Sequence, residues 1–155
     1  MKRSNSSMQL TRAADYAVRV MIHLAGQATE SRALLPTLAQ ATDAPESFLS
    51  KVLQALSHAG LISSRRGQSG GFQISALGRA ASMREVIEAI DGPICLNVCM
   101  VSGRSCNRKA HCVAHPVWAQ AQMAMMEVLS AATITDLATQ TQPIELAQRS
   151  RQSKS

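Results

Sequence analysis

Four cysteines, Cys95, Cys99, Cys106 and Cys112, fall within 18 residues and are followed by His115. Thiolates are soft ligands that select zinc or iron–sulfur clusters. The spacing Cys99-x6-Cys106-x5-Cys112 is too open for a zinc knuckle, whose cysteines pair about two to four residues apart. Gly103 and a lack of apolar periodicity leave the backbone free to bend around a bound group. Arg104, Arg108 and Lys109 flank the thiols and would offset part of a thiolate-bound cluster's negative charge. The same cations stabilise thiolates without a metal, so a bare thiol switch stands beside a cluster and a zinc site. Four incidental core cysteines fit poorly, because the segment is too polar to be core.

A second constellation lies upstream. Ser47, Ser50, Lys51 and Gln54 recur on one face of a helical stretch whose other face is Leu49, Val52, Leu53 and Leu56. Short polar side chains near the start of such a helix can reach base edges in the major groove of DNA. Arg65, Arg66 and Gln68 sit at a glycine-rich turn and suit phosphate contact or insertion into the minor groove. Gly67, Gly70 and Gly71 let that backbone turn tightly and approach DNA without side-chain obstruction. Each of these residues taken singly could be an ordinary solvated surface group, and some winged helices bind only protein. Helix, turn, wing and charge together favour DNA. Phe48 reads as core and His58 as surface.

The elements that must position these groups follow from periodicity. Leu10 to Ala28 reads as a helix with Leu10, Ala14, Ala17, Val18, Met21, Leu24 and Ala25 as its stripe; Arg12, Asp15, Arg19 and His23 face away. Pro36 suits the first turn of a short helix carrying Leu38, Ala39 and Ala41. Thr42-Asp43-Ala44 makes a tight break, and Glu46 to Ala59 forms the next helix, closed by Gly60. Leu61–Arg66 and Gly71–Ser75 read as strands of a hairpin. Met83 to Ile90 is a short amphipathic helix ended by Asp91-Gly92-Pro93. From Cys112 or Pro116 a long helix runs to Ala131, with Trp118, Ala121, Met125, Val128 and Ala132 in one stripe and Met123, Met126 and Leu129 widening it. Such broad apolarity predicts burial against a second copy of the chain. A last short helix follows over Thr133–Thr139, with Thr135 as its cap. The fold expected is mainly α: a winged helix-turn-helix with a small β-hairpin wing and a long C-terminal dimerisation helix. Residues 8–80 would be the DNA-binding domain and 81–140 the cysteine-containing sensing loop and dimerisation helix. Residues 1–7 and 141–155 would be disordered tails.

Composition agrees and excludes. The 155 residues hold 46% apolar side chains but one Trp, one Tyr and two Phe, so packing rests on aliphatics and eight Met, which favours helices over a β-sandwich. Lys and Arg outnumber Asp and Glu 16 to 10; up to Ser75 the split is eight to four. A basic balance suits a polyanion but also serves solubility. No signal-like apolar run follows the N-terminus, Arg19 and His23 interrupt one candidate membrane span, and Glu127 interrupts another. A cytoplasmic protein without membrane attachment is expected, where cysteines read as ligands or redox thiols before structural disulfides. No nucleotide-binding glycine motif or nucleophile-base-acid set appears, so an enzyme is not expected.

The chain resembles the winged-helix regulators that include IscR, NsrR and RirA. Met8-Gln9-Leu10-Thr11 with Asp15-Tyr16-Ala17-Val18-Arg19 matches the family's opening. Phe48-Leu49-Ser50-Lys51-Val52-Leu53, Ala59-Gly60-Leu61-Ile62-Ser63-Ser64 and Arg66-Gly67-x-x-Gly70-Gly71-Phe72 match its recognition helix and wing. The resemblance covers about Met8 to Leu137 and implies a homodimer that crosses its long helices and binds a pseudo-palindromic operator in double-stranded DNA. It further implies an iron–sulfur cluster, [4Fe-4S] or [2Fe-2S], on Cys99, Cys106 and Cys112.

The fourth ligand separates the members that the chain resembles. Cys112-Val113-Ala114-His115-Pro116-Val117-Trp118 matches the IscR pattern, in which the histidine ligates. Asp15 occupies the position from which, in the NsrR pattern, an aspartate of the partner subunit completes the site. Cys95 stands where the family usually has an apolar residue and is a third candidate ligand, a disulfide thiol or core. Against these, Asp15 and Arg19 stand four apart and could form a helix-surface ion pair, and His115 could simply order the start of the long helix. The resemblance implies a regulator, mostly a repressor, whose operator binding follows nitric oxide, iron or cluster status, or redox stress. A cluster-free thiol-redox regulator and a zinc-stabilised DNA-binding module are the alternatives.

Overall fold

Thr11 starts the first helix by a local hydrogen bond: its hydroxyl accepts from the Ala14 amide at 3.2 Å, taking one of the amides a helix start leaves free. The computed structural model describes residues 10–101 and 106–140. Met8, Gln9, Gly103, Arg104 and the two tails expected to be disordered lie outside the described residues.

Helix α1 (Arg12–Ala25) is therefore shorter at both ends than its apolar periodicity suggests, with Gly26 as its C-cap and Leu10 left exposed. Ala14, Ala17, Val18, Val20, Met21 and Leu24 are buried, and the small alanines allow α1 to be packed on three sides by α2 (Leu35–Thr42), α3 (Glu46–His58) and α5 (Met83–Asp91). Pro36 does stand in the first turn of α2. Thr42, not Ala41, is buried at its end, because the Thr42 hydroxyl donates back to the Leu38 carbonyl at 2.7 Å and so carries no unmet polar group inward. Asp43 turns the chain between α2 and α3 in the left-handed region, φ 54°, which aspartate tolerates better than most residues.

Helix α3 buries Leu49, Val52, Leu53 and Leu56. Gly60, at φ 74°, then reverses the chain into β1 (Ile62–Arg65), which pairs antiparallel with β2 (Gly71–Ile74) in the register Ile62 to Ile74 and Arg65 to Gly71. The hairpin gains a third backbone partner: Ala33 and Phe72 exchange both amide hydrogen bonds, at 2.9 and 2.8 Å. Gly71 permits this pairing, since it adopts φ 125° and a Cβ there would stand 2.8 Å from the Ala33 carbonyl oxygen.

A short helix absent from the sequence reading, α4 (Ala76–Ala80), follows the wing, capped by Ser75. Helix α5 opens with a reciprocal cap in which Ser82 and Glu85 exchange side-chain and backbone hydrogen bonds. After a 3-10 turn at Val98–Met100 comes the long helix α6 (His115–Ala131). The chain then returns to the first half: Met83 N–H donates to the Ala132 carbonyl at 2.8 Å and Ile134 N–H to the Ala81 carbonyl at 2.9 Å. Ile134 enters the same core as Leu49, Leu53, Val86 and Ile87. The final helical stretch runs over 134–140 and is capped by Thr133, whose hydroxyl accepts from the Asp136 amide. Thr135, expected to be that cap, instead donates to the Arg79 carbonyl at 2.7 Å, a partner 56 residues away. Mostly helical, with one two-stranded antiparallel hairpin, the architecture is the winged helix expected.

Candidate DNA interface and cysteine segment

With α3's apolar stripe turned to the core, Ser47, Lys51 and Gln54 are exposed and Ser50 is half-buried. The wing folds toward that same face. Ser50 and Gln54 of α3, Arg65 and Arg66 of the hairpin, and Pro36 at the start of α2 line one open groove. The side chains of Arg65, Arg66 and Lys51 make no ion pair or hydrogen bond among the described residues, whose two ion pairs are Asp15–Arg19 and Arg84–Glu88. The groove is therefore cationic and uncompensated on its wing side. Gln68 is exposed at the tip, in a turn closed by the Gly70 amide on the Gly67 carbonyl at 2.9 Å. A Cβ on Gly70 would collide with the Arg65 carbonyl oxygen, so Gly70 and Gly71 serve the turn and the pairing with Ala33. Gly67, at φ 105° with open space around it, is the glycine that faces outward freely.

Ser57, which the sequence did not single out, and His58, read from the sequence as plain surface and indeed exposed, also line the groove. The signal was present: positions 47, 50, 54 and 58 follow i, i+3, i+7, i+11 and so share a helix face. Glu46 occupies the exposed first turn of α3 and complements the helix dipole itself. Phe48 is not core. It is 41% exposed, set edge-on against Tyr16 with ring centroids 5.7 Å apart. The Arg19 guanidinium lies 5.8 Å from the Tyr16 ring centre. Arg19 also donates to the Thr42 carbonyl at 3.3 Å, so α1, α2 and α3 are joined at this corner.

Asp15 is held by Arg19 at 2.7 Å, both half-exposed, which is the i, i+4 ion pair that the spacing allowed. All four cysteines are free thiols; Cys106 is exposed and Cys95, Cys99 and Cys112 are half-buried. Among the described residues no three His, Cys, Asp or Glu side chains stand close enough to hold a metal ion, so one protomer does not assemble Cys99, Cys106, Cys112, His115 and Asp15 into a coordination set. Two of them are brought into register. His115 N–H donates to the Cys112 carbonyl at 3.1 Å, placing the two residues one turn apart at the start of α6. The His115 Nδ1 is buried and has no hydrogen-bond partner among the described residues. An imidazole nitrogen left so is costly, about 1–3 kcal/mol, and it is a donor atom of the kind that iron or zinc takes. Thiolate and imidazole are donor types that iron or zinc takes, but in one protomer their side chains are not gathered into a single set. The Cys95 Sγ donates to the Met100 carbonyl oxygen at 3.8 Å, in the same turn as Cys99.

Helix α6 buries none of its 17 residues. Val117 is 66%, Met123 71% and Val128 69% exposed, and Trp118 is also open. Among the described residues no helix is long and apolar enough to cross a membrane.

Comparison with known proteins agrees with this fold. The Rrf2 family profile, described as an iron-dependent transcriptional regulator, matches residues 10–140. Protein aau3 of Rhizobium meliloti is 30% identical over 131 residues, 84% of each chain. The HTH-type transcriptional regulator IscR of Vibrio vulnificus is 28% identical over 142 residues, 92% of this chain and 84% of that one. The solved structure of CymR, the global cysteine regulator of B. subtilis, superposes with a TM-score of 0.69 at 27% identity, over 84% of this chain and 96% of that chain.

Proposed function

The chain belongs to the Rrf2 family of transcriptional regulators, and from that premise we propose a homodimeric repressor whose hold on a pseudo-palindromic operator is set by an iron–sulfur cluster. It is a DNA-binding transcriptional regulator and not an enzyme. The observation that carries the DNA-binding surface is the shared groove of α3 and the wing, with its unpaired arginines. Ser47, Ser50, Lys51 and Gln54 read base edges, while Arg65, Arg66 and Gln68 hold phosphates or enter the minor groove.

Dimerisation follows from α6. A 17-residue helix with no buried residue and several large apolar side chains in water would gain about 1.5–3 kcal/mol for each such side chain that a second α6 covers. That pairing sets the distance between the two recognition helices, which must meet half-sites on successive turns of DNA. The protein works in the cytoplasm, beside that DNA.

Cys99, Cys106 and Cys112 as thiolates, with His115 through its unpartnered ring nitrogen, would hold the cluster. We favour His115 over Asp15 of the partner subunit because Asp15 already spends its charge on Arg19. A bound cluster supplies a centre that nitric oxide, iron shortage or oxidants can alter. What the chain does with it is mechanical. While the three thiolates and His115 share one anchor, the segment between α5 and α6 is tethered to the start of α6. Once they are released, α6 and the recognition helices can settle at a different spacing, a two-state bias of about a few kcal/mol.

Anaerobic purification with absorption spectra and iron, sulfide and zinc assays tests this reading. Iron and sulfide with charge-transfer bands are expected, and their loss on Cys106→Ser. A colourless, iron-free protein would refute it. One observation supports a cluster-free thiol switch as the second reading: Cys106 is an exposed free thiol, open to oxidation. Zinc without iron would instead favour a zinc-stabilised module.

A further inference from the structure

Gln122 stands on α6, and its side-chain amide reaches back to the start of the cysteine segment. Its Oε1 accepts from the Leu96 amide at 2.8 Å, and its Nε2 donates to the Ile94 carbonyl at 2.6 Å. One side chain thus satisfies the donor and the acceptor on either side of Cys95, as an adjoining strand would. The two backbone partners also fix which way the amide points, since only one orientation offers oxygen to the N–H and nitrogen to the carbonyl. From the opposite side, Ile94 N–H donates to Glu88 Oε1 of α5 at 3.3 Å, and Glu88 is steadied by Arg84 at 3.2 Å. Ile94 is therefore gripped by α5 through its donor and by α6 through its acceptor.

The position of this grip matters. Cys99 follows Leu96 by three residues, in the 3-10 turn Val98–Met100 that packs on α6. Helix α5 packs on α1 and on α3. We propose that Gln122 is the positioning residue that couples the cysteine segment to α6, the helix whose pairing would set the recognition-helix spacing, while Glu88 gives Ile94 a fixed point on α5. The proposal rests on the reading that this segment governs operator binding. A displacement of Cys99 would reach Leu96 and Ile94 along a short stretch of backbone, and the amide passes it to the helix that sets the recognition-helix spacing. With the amide cut, the cysteines and the DNA-binding surface would both persist, but one would no longer report on the other.

The full chain carries the test. Gln122→Met keeps length and helix propensity while removing both hydrogen bonds. Gln122→Glu keeps the acceptor for Leu96 but sets an oxygen against the Ile94 carbonyl. Hydrogen exchange at the Leu96 amide reads the grip itself: several-fold faster exchange is expected in Gln122→Met, with Gln122→Glu nearer the parent. Operator affinity in a double-mutant cycle with Cys106→Ala reads the coupling. In the parent, Cys106→Ala should shift operator Kd by about 5- to 150-fold; in the Gln122→Met background the same change should move Kd by no more than about twofold. A full Cys106→Ala effect in Gln122→Met would overturn the coupling role alone, and unchanged Leu96 exchange would overturn the grip. If Cys106→Ala changes nothing in the parent, the sensing reading falls and this role with it. Should Gln122→Met fail to fold, Gln122→Glu runs the same cycle, with a residual effect between the two expected; a full effect there counts against the proposal.

Discussion

Replacing Arg66 by Ala puts a number on the proposed DNA interface. Arg66 is exposed just after the wing's first strand, and its side chain makes no ion pair or hydrogen bond among the described residues. Its removal should therefore leave folding stability within about 0.5 kcal/mol of the parent. A dimer loses two guanidinium groups, and each neutralised phosphate contributes about 0.9 to the slope of log Kobs against log salt. The slope should thus flatten by about 1.8. Doubling the salt from about 0.1 to 0.2 M would then weaken the parent about 3.5-fold more than the variant. Fluorescence anisotropy on an operator duplex and a scrambled duplex, over a salt series, measures this directly. A uniform loss on both duplexes assigns Arg66 to phosphate, whereas a loss confined to the operator assigns it to the minor groove. Unchanged affinity and slope on both would refute the placement of the wing on DNA, and with it the argument from unpaired charge.

Other perturbations reach the remaining parts. Gly71→Ala forces a side chain into φ 125° and against the Ala33 carbonyl, and should cost about 1–3 kcal/mol of stability by urea denaturation; a cost below that would mean the Ala33–Phe72 pairing bends freely. Val128→Asp, on the open face of α6, should turn a dimer into a monomer in sedimentation while leaving the helical signal intact. Glu85 has its carboxyl held below the ordinary value of 4.5, first by the hydrogen bond from the Ser82 backbone and then by that from its hydroxyl. A lowered folded-state pKa stabilises above the unfolded value and is lost as pH falls through the folded one. Ser82→Ala keeps the backbone bond and removes the hydroxyl's share; it should destabilise by about 0.5–2 kcal/mol at neutral pH, and part of the difference from the parent should be lost as pH falls below the ordinary value of 4.5. A gap that stays constant with pH would show the cap to be uncharged in effect.

What could be read in advance was whatever repeats locally. The stripe Leu49, Val52, Leu53 and Leu56 dictates which way α3 faces, and so which polar residues meet the groove. Pro36 and the glycines about the wing mark turns through their own backbone preferences. The broad apolar surface of α6 was equally plain, because a helix shows its unburied side in its residue types alone. Tertiary structure decided the rest. Ala33 pairs with Phe72, Thr135 meets Arg79, and Gln122 grips Ile94 and Leu96 across 28 and 26 residues. No sequence period encodes such partners, since a backbone donor or a side-chain amide is chemically the same wherever it stands. Phe48 shows the reverse case: its residue type suggests core, yet the core was filled by Leu49 and Leu53, and Tyr16 was the neighbour left for it at the surface. Periodicity set the faces of the helices, and the meeting of distant hydrogen-bonding groups in the folded chain set what those faces are tied to.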